Sequence, residues 1–464
     1  MREPTYTSNL EDTIAAISTP LGQAGLGIVR ISGKQAFAIA DMLFHGKVKP
    51  SAVQSHTVHY GKITDPRSKE TVDEVLLTVM QAPLTYTAED TVEITCHGGA
   101  LVLQKVLEIA VYCGARLALP GEFTLRAFLN GRIDLAQAEA VADLISARSD
   151  SGLKMALRQL EGRLSGRIEA LRSEIVNLLA NLEARIDFPD QDIEPEDKEQ
   201  IESQMKQIEQ SLGELISTYE EGKILQEGLN VVIIGKPNVG KSSLLNALLQ
   251  KDRAIVTPIP GTTRDVISDY ANFDGVLVRL VDTAGFRIAG DVIEIEGIKR
   301  AEAEIKKGDL MLLVIDSSAE ISEEEKLMEQ KLSLQNYVVV LNKIDLVGAD
   351  KASRLENLFV DRDLFKISCT QLTGLPELKA KIVSRMVQAR PEAEVVISNL
   401  RHKEALERAK ASLQIARKSF DENMSFEFVA LDVKKCLDAV GEIIGKIYTE
   451  EILNQIFSNF CIGK

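Results

Sequence analysis

The sequence predicts a multidomain chain: an α+β N-terminal domain, an α-helical domain in two separate pieces, and an α/β domain inserted between them. Three patterns carry that reading. Short apolar runs broken by Gly and Pro fill the region up to about residue 125. Apolar residues at spacings of three and four begin near Leu135 and return after Pro391. Between the helical stretches lie Val231-Val232-Ile233-Ile234, Val276 to Val281 and Tyr337 to Leu341, continuous apolar runs of the kind buried on both faces of a parallel sheet. The divisions fall at 1–130, 131–225, 226–388 and 389–464.

In the first division, Ile28-Val29-Arg30-Ile31-Ser32-Gly33, Val75 to Met80 and Thr91 to Thr95 read as strands, and Leu101 to Tyr112 as a helix. The run Gly22 to Gly27 has the glycines of a phosphate loop. No Lys-Ser follows it and a strand comes next, so a tight turn is expected.

The helical texture opens with Leu153, Leu157, Leu160, Leu164, Ile168, Leu171, Ile175, Leu178, Leu182 and Ile186, which predict one long helix with a single apolar stripe. Asp187-Phe188-Pro189-Asp190 ends it. After an acidic stretch a second helical pattern leads to the inserted domain. Beyond Pro391, Leu400, Leu406, Ala409, Leu413 and Ala416 form another stripe, and Thr449 caps a last helix carrying Ile452, Ile456 and Phe460. Neither piece looks self-sufficient, so the two are expected to pack together. Motion of the inserted domain would then reach them through two connections.

The inserted domain holds the chemistry. Gly235-Lys236-Pro237-Asn238-Val239-Gly240-Lys241-Ser242 follows a strand pattern and precedes the helical run Leu244 to Leu249. Strand, glycine turn and helix are the context of a phosphate-binding loop: backbone N–H groups and the helix N-terminus face the phosphates. Lys241 would reach the β- and γ-phosphates, and the Ser242 hydroxyl would bind Mg²⁺. The second strand pattern ends in Asp282-Thr283-Ala284-Gly285. An Asp there sits beside the Mg²⁺, and Gly285 can offer its N–H to the γ-phosphate. Between these motifs Pro260-Gly261-Thr262-Thr263 lies on a segment without periodicity, where a switch loop belongs; Thr263 would meet Mg²⁺ only with the γ-phosphate present.

The third strand pattern ends in Asn342-Lys343-Ile344-Asp345. A carboxylate at Asp345 accepts from guanine N1–H and the 2-amino group; adenine offers neither, so such a site rejects it by about 10⁴-fold or more. Phe365-Lys366-Ile367 leads into Ser368-Cys369-Thr370, where a backbone N–H would meet guanine O6. Four motifs in order, each after a strand, predict guanine-nucleotide binding.

Catalysis is read partly from a missing group. Where many small GTPases place a water-orienting Gln after the DxxG motif, this chain has Phe286. Asp291, Glu294 and Glu296 lie just downstream as alternatives. The transition state also needs a cation. Arg253, Arg264 and Arg287 are close in sequence, and a monovalent cation on the Asn238 side chain is another source.

Composition excludes several classes. The chain of 464 residues suggests about three domains. A formal charge of −15 argues against general affinity for phosphate backbones, and 5% aromatics without Trp leave few stacking platforms. Five scattered Cys fit reduced thiols rather than disulfides or zinc. No apolar run approaches a membrane span of roughly 18 residues, and Met1-Arg2-Glu3-Pro4-Thr5 opens no secretory signal. A cytoplasmic protein is expected.

Taken together, the residues resemble the tRNA modification GTPase family MnmE (TrmE) over essentially the whole chain. The four nucleotide motifs, with Asn238, Gly261-Thr262-Thr263-Arg264-Asp265 and Phe286-Arg287, are shared by several GTPase families. More specific are Pro120-Gly121-Glu122-Phe123-Thr124, Asp134-Leu135-Ala136-Gln137-Ala138-Glu139 and the terminal Cys461-Ile462-Gly463-Lys464.

The resemblance implies a folate-binding-like N-terminal domain that dimerises and a Ras-like GTPase domain. It implies a flavoprotein partner, MnmG, assembled with the homodimer as a heterotetramer. The pair would build a carboxymethylaminomethyl or aminomethyl group on C5 of the wobble uridine of certain tRNAs, using a tetrahydrofolate one-carbon unit. GTP hydrolysis would follow K⁺-dependent pairing of two GTPase domains. Nucleotide contacts would run along Asn238-Val239-Gly240-Lys241-Ser242-Ser243, Thr257-Pro258-Ile259-Pro260-Gly261-Thr262-Thr263, Asp282-Thr283-Ala284-Gly285, Asn342-Lys343-Ile344-Asp345 and Ser368-Cys369-Thr370. K⁺ would be held by Asn238, Thr257, Ile259 and Thr262, and Mg²⁺ by Ser242 and Thr263. Glu294 matches the water-orienting acid. Arg30, Glu93, Arg132 and Lys464 would contact folate; Arg132 stands where relatives carry Lys, keeping the charge but not the geometry.

Cys461 lies four residues from the C-terminus, as in a prenylation box, but Gly463 and Lys464 do not suit one. By itself it reads as a free thiol near an apolar helix; the resemblance makes it an active-site candidate. Two other functions compete: a ribosome-assembly switch that binds RNA, which would bring an appended basic domain not apparent here, and a folate-binding scaffold whose GTPase controls only assembly.

Overall fold

Alternating apolar and polar residues build the first sheet. The computed structural model describes residues 11–187, 195–250, 268–273, 275–282, 305, 308–332, 336–359, 362–387 and 395–464. Its N-terminal part runs β1 (Ile14–Ile17), β2 (Leu26–Ser32), α1 (Ala36–Leu43), β3 (Phe44–Gly46), β4 (Thr57–Thr64), β5 (Thr71–Met80), β6 (Thr91–His97), α2 (Ala100–Tyr112), β7 (Arg116–Leu117) and α3 (Glu122–Leu129). The strand order is β3-β4-β5-β6-β2-β1-β7, antiparallel except between β1 and β7. Val29 and Ile31 of β2 and Val92 and Ile94 of β6 turn to one face, buried with Ile39 and Leu43 of α1 and Leu103 and Val106 of α2. Period-two alternation sends Arg30 and Glu93 to the other face, and the register sets them directly opposite each other. The glycine-rich segment before β2 leads into a strand and not a helix, but it is a loop of bends from β1 to β2 rather than the tight turn expected. The Ala24 N–H donates to Gly98 O at 3.1 Å and the Gly98 N–H to Gly25 O at 3.4 Å.

Helices follow: α4 (Leu135–Ser146), α5 (Asp150–Leu160), α6 (Arg163–Asp187), α7 (Pro195–Ser217) and α8 (Tyr219–Glu227). The single long helix expected from Leu153 to Ile186 is in fact two. Gly162 has φ +86°, a left-handed conformation that ends α5 before α6 begins. A spacing of three and four continues through such a break unseen. Leu164, Ile168, Leu171, Ile175, Leu178 and Leu182 of α6 are buried as expected, whereas Leu153 and Leu157 are exposed.

The inserted domain contains β8 (Leu229–Ile234), α9 (Lys241–Leu249), β9 (Ser268–Phe273), β10 (Val276–Asp282), β11 (Leu310–Asp316), α10 (Glu323–Leu332), β12 (Tyr337–Asn342), α11 (Ala349–Leu358), β13 (Leu364–Lys366) and α12 (Leu375–Val387). Then come α13 (Leu400–Asp421), α14 (Phe426–Ile443) and α15 (Glu450–Phe457).

The chain forms two compact units. One comprises Met1–Ala142, Gln159–Ile208 and Arg408–Lys464. In it α14 packs along α6 through Val429, Val433, Cys436 and Val440. The Thr449 hydroxyl caps α15 by accepting from the Ile452 N–H at 3.3 Å. Leu453 and Phe457 of that helix are buried with Leu125 and Phe128 of α3.

The other unit comprises Asp143–Arg158 and Glu209–Glu407. Its six-stranded sheet has the order β13-β12-β11-β8-β10-β9, parallel except for β9. Val231 and Ile233 of β8 are covered by Leu244 and Leu248 of α9 and by Leu378 and Ile382 of α12. Val232 and Ile234 face Leu332 of α10 and Leu355 of α11. Helices on both faces explain why these strands read as unbroken apolar runs.

Candidate functional site

In this order β8 has β10 on one side and β11 on the other. The connections leave in opposite directions there and open a crevice beyond the carboxyl end of β8, where open α/β sheets bind ligands. The loop from Gly235 to Gly240 occupies that position. Gly240 has φ +100°, and a Cβ added to it would run into Nδ2 of Asn342, so only glycine fits. It immediately precedes α9, and no side chain caps that helix. A helix start of this kind presents its first-turn N–H groups toward an anion.

Lys241 is buried, and its ammonium donates to the carbonyls of Gly235 at 2.7 Å and Lys236 at 2.6 Å. The Ser242 hydroxyl donates to Asp282 Oδ2 at 2.7 Å. Asp282 is the last residue of β10, beside β8, and is buried. The loop lines a cavity of about 660 Å³ together with Glu324, Met328 and Lys343.

The end of β12 braces this loop from the other side. Asn342 is buried and donates from Nδ2 to the Val239 carbonyl at 2.9 Å; its Oδ1 has no hydrogen-bond partner among the described residues. Lys343 has φ +62°. Its ammonium donates to the Asn238 carbonyl at 3.1 Å and pairs with Asp316 Oδ2 at 2.6 Å. Burial pushes the Asp316 carboxyl upward, but Lys343 and Ser318 outweigh it and hold it below the usual aspartate range. Ile344 and Asp345 form a 3₁₀ turn, Ile344–Leu346, tied by its first N–H to Ile367 O at 3.2 Å. Ser368, Cys369 and Thr370 follow β13 next to it. The Thr370 hydroxyl reaches Asp345 Oδ2 at 3.5 Å, and Ser368 Oγ meets Thr370 Oγ1 at 2.9 Å. Burial, reinforced by the Asp345 charge, pushes the Cys369 thiol up to about 11. Thr257, Pro258, Ile259, Pro260, Gly261, Thr262, Thr263, Thr283, Ala284, Gly285 and Glu294 lie outside the described residues.

A second cluster lies in the first unit. Arg30 Nε donates to Glu93 Oε1 at 2.8 Å, and an Arg30 terminal nitrogen donates to Gly463 O at 3.3 Å. The Tyr86 ring has the Arg30 guanidinium 5.8 Å from its centroid and that of Arg132 at 5.1 Å. Arg132 also donates to the Tyr86 carbonyl at 3.1 Å. The Lys464 carbonyl accepts from the Phe123 N–H at 3.2 Å; burial, then the Arg30 charge, lowers the Lys464 ammonium pKa. The structure therefore gathers Arg30, Glu93, Arg132 and Lys464, residues 434 positions apart at the extremes (464 − 30). Cys461 is exposed, three residues before Lys464. Tyr86 and Phe123, whose ring centroid lies 5.5 Å from the Arg30 guanidinium, complete the cluster; the sequence reading gives Tyr86 no part and Phe123 only a place in the Pro120–Thr124 motif. The one sequence signal for Tyr86 is an aromatic within a polar loop.

The specific motifs have structural roles. Glu122 is buried, with its two oxygens on Arg116 at 2.6 and 3.0 Å and a bond from the Leu119 N–H at 2.8 Å. Arg126, equally buried, donates to Glu122 at 3.1 Å and to Glu89 at 3.2 Å. Burial raises the Glu122 carboxyl, but Arg116 and the Leu119 N–H outweigh it, so its pKa is lowered. Asp134 and Gln137 cap the start of α4 reciprocally, each side chain accepting from the other's N–H at 3.0 and 2.9 Å.

A parallel sheet whose glycine loop leaves at the switch point and is clamped by an Asn-Lys-x-Asp turn is the framework of a P-loop GTPase. Comparison with known proteins narrows the class. A family model described as "GTP-binding protein TrmE N-terminus" matches residues 13–132, and one described as "MnmE helical domain" matches 135–461, spanning the whole nucleotide sheet as an insertion requires. The tRNA modification GTPase MnmE of Acetivibrio thermocellus is 44% identical over 456 residues, covering 98% of this chain and 99% of its own. Those of Bacillus pumilus and Bacillus subtilis are each 45% identical over 458 residues, covering 98% of this chain and 100% of theirs. The chain belongs to the tRNA modification GTPase MnmE family. Among the described residues, no helix is long and apolar enough to cross a membrane.

Proposed function

We propose that this chain hydrolyses GTP to drive modification of the wobble uridine of tRNA. It works as a cytoplasmic homodimer with a flavin-dependent MnmG-type partner in a heterotetramer. The product is an aminomethyl-type or carboxymethylaminomethyl group on C5, with the carbon from a tetrahydrofolate derivative. The observation that carries the reading is the Gly235–Ser242 loop clamped by Asn342 and Lys343 in a chain whose whole length matches the family.

The work divides among 1–130 (folate and dimerisation), 131–225 and 389–464 (the helical body) and 226–388 (GTP). Asp345 accepts guanine N1–H and the 2-amino group, and the backbone at Ser368 to Thr370 meets O6. The α9 N-terminus and Lys241, swung from its two carbonyls, hold the β- and γ-phosphates. Ser242 beside Asp282 is a hydroxyl–carboxylate pair of hard oxygens, the donor set Mg²⁺ takes, with Thr263 from the switch loop. Asn238 borders the cavity with an amide oxygen suited to K⁺, joined by Thr257, Ile259 and Thr262. Held by these residues, Mg²⁺ and K⁺ would supply positive charge to offset that of the phosphates. Glu294 orients a water for in-line attack on the γ-phosphorus; the bond to the bridging oxygen breaks, GDP leaves, and the water's proton passes to the inorganic phosphate that forms.

The other cluster fits folate by its chemistry. The Glu93 carboxylate matches the adjacent N–H donors of a pterin, Tyr86 gives a flat aromatic face, and Arg30, Arg132 and Lys464 favour anionic groups. Cys461 stands three residues from Lys464 as the nucleophile candidate. Mass analysis of tRNA nucleosides from a strain lacking the chain tests the function. The C5-substituted wobble uridines should vanish and return with the gene; unchanged wobble uridines would instead leave an RNA-binding assembly switch as the reading.

A further inference from the structure

The last residue of β11, Asp316, stands opposite Asn342 in the register of β11 and β12. Its carboxylate does two things at once. Oδ1 accepts from the Ser318 N–H at 2.9 Å and the Ser318 hydroxyl at 2.6 Å, which fixes its orientation. Oδ2 pairs with the Lys343 ammonium at 2.6 Å. That ammonium also donates to the carbonyl of Asn238 at 3.1 Å. Asn238 has φ +64°, a left-handed conformation that asparagine adopts more readily than other non-glycine residues. The chain of contacts thus runs from the end of β11, through a lysine of the base motif, to the one phosphate-loop residue assigned above to a monovalent cation. Neither the nucleotide motifs nor the proposed chemistry gives Asp316 a part.

We propose that Asp316 is a positioning residue for the cation side of the nucleotide site. It neutralises the charge of Lys343, so that a monovalent cation on the Asn238 side chain meets no opposing charge on the same loop. An ammonium hydrogen-bonded to the backbone of a cation ligand repels that cation unless a carboxylate faces it. Here the carboxylate side chain is 16% exposed and the lysine 33%, so solvent screens the pair only in part. The inference rests on the reading of Asn238 as a K⁺ ligand given under Proposed function.

The test uses the full chain, a fluorescent non-hydrolysable GTP analogue and Mg²⁺, with KCl exchanged for NaCl at constant ionic strength. Two readouts are followed: the KCl concentration at half-maximal tightening of analogue binding, and that at half-maximal GTP hydrolysis. In Asp316→Asn both concentrations should rise on the order of ten-fold. In the double variant Asp316→Asn with Lys343→Met, the ammonium is gone and the half-maximal KCl in the binding assay should return toward that of the parent. A folding defect would not be rescued by a second substitution. Asp316→Asn with the parent's K⁺ response, or a double variant no better than the single one, overturns the proposal. If the parent chain itself responds equally to K⁺ and Na⁺, the Asn238 cation site is wrong, and that failure shows before any variant is made.

Discussion

Asn342 donates its side-chain amide to the backbone carbonyl of Val239 across 2.9 Å, and both residues are buried. The bond joins the strand end that reads the base to the loop that holds the phosphates, so the two halves of the site share one rigid support.

Asn342→Ala should loosen that support. The Val239 carbonyl would be left buried without a donor, a cost of about 1–3 kcal/mol. GDP and GTP affinities should both fall roughly 10- to 100-fold in a fluorescence titration. Affinities within two-fold of the parent would show that the loop holds its shape unaided.

Asp345→Asn should change the base. An amide offers one acceptor where the carboxylate offers two, and it adds a donor that suits a carbonyl at C2. Preference should move from guanine toward xanthine nucleotides, with GDP binding weakened by about 10²-fold or more. Unaltered discrimination between GDP and XDP would remove Asp345 from base reading.

Glu122→Ala should unfold the N-terminal part without touching the nucleotide site. It leaves Arg126 buried beside an empty position, a loss of about 3–5 kcal/mol. The sign of the pH effect follows from the lowered pKa. Below the ordinary glutamate value of 4.5 the unfolded chain takes up the proton first, so this stabilisation is complete above that pH and drains away as pH falls through the folded value. Thermal melts of the parent should show the loss on acidification, and Glu122→Gln should show a flatter profile. Equal profiles would mean that the carboxylate is not what the arginines hold.

Tyr86→Leu should weaken binding of a tetrahydrofolate derivative by roughly ten-fold in equilibrium dialysis, because it removes the ring between Arg30 and Arg132. GTP hydrolysis by the isolated chain should stay at the parent's rate. Full folate affinity would place the ligand elsewhere.

Much of the nucleotide site is legible because its parts are local. A glycine loop, an Asp at a strand end and an Asn-Lys-Ile-Asp turn each carry their chemistry within a few residues, and buried parallel strands announce themselves as apolar runs. The break at Gly162 is not legible, since an apolar spacing of three and four runs on through it. Nor is the environment of Arg30. Its partners come from β6, from the segment before it and from the last residues of the chain, and only antiparallel register and docking of the C-terminus bring them together. Asp316 is hidden for the same reason: its meaning depends on the neighbouring strand, not on its own sequence surroundings.

Every role given to the inserted domain depends on guanine-nucleotide binding at the loop from Gly235 to Ser242. Calorimetric titration of the purified chain with GDP and ADP in Mg²⁺ measures it directly. Saturable heat with GDP, none with ADP, and loss of the GDP signal in Gly240→Ala are the expected results. Equal binding of the two nucleotides, or GDP binding that survives Gly240→Ala unchanged, would contradict it.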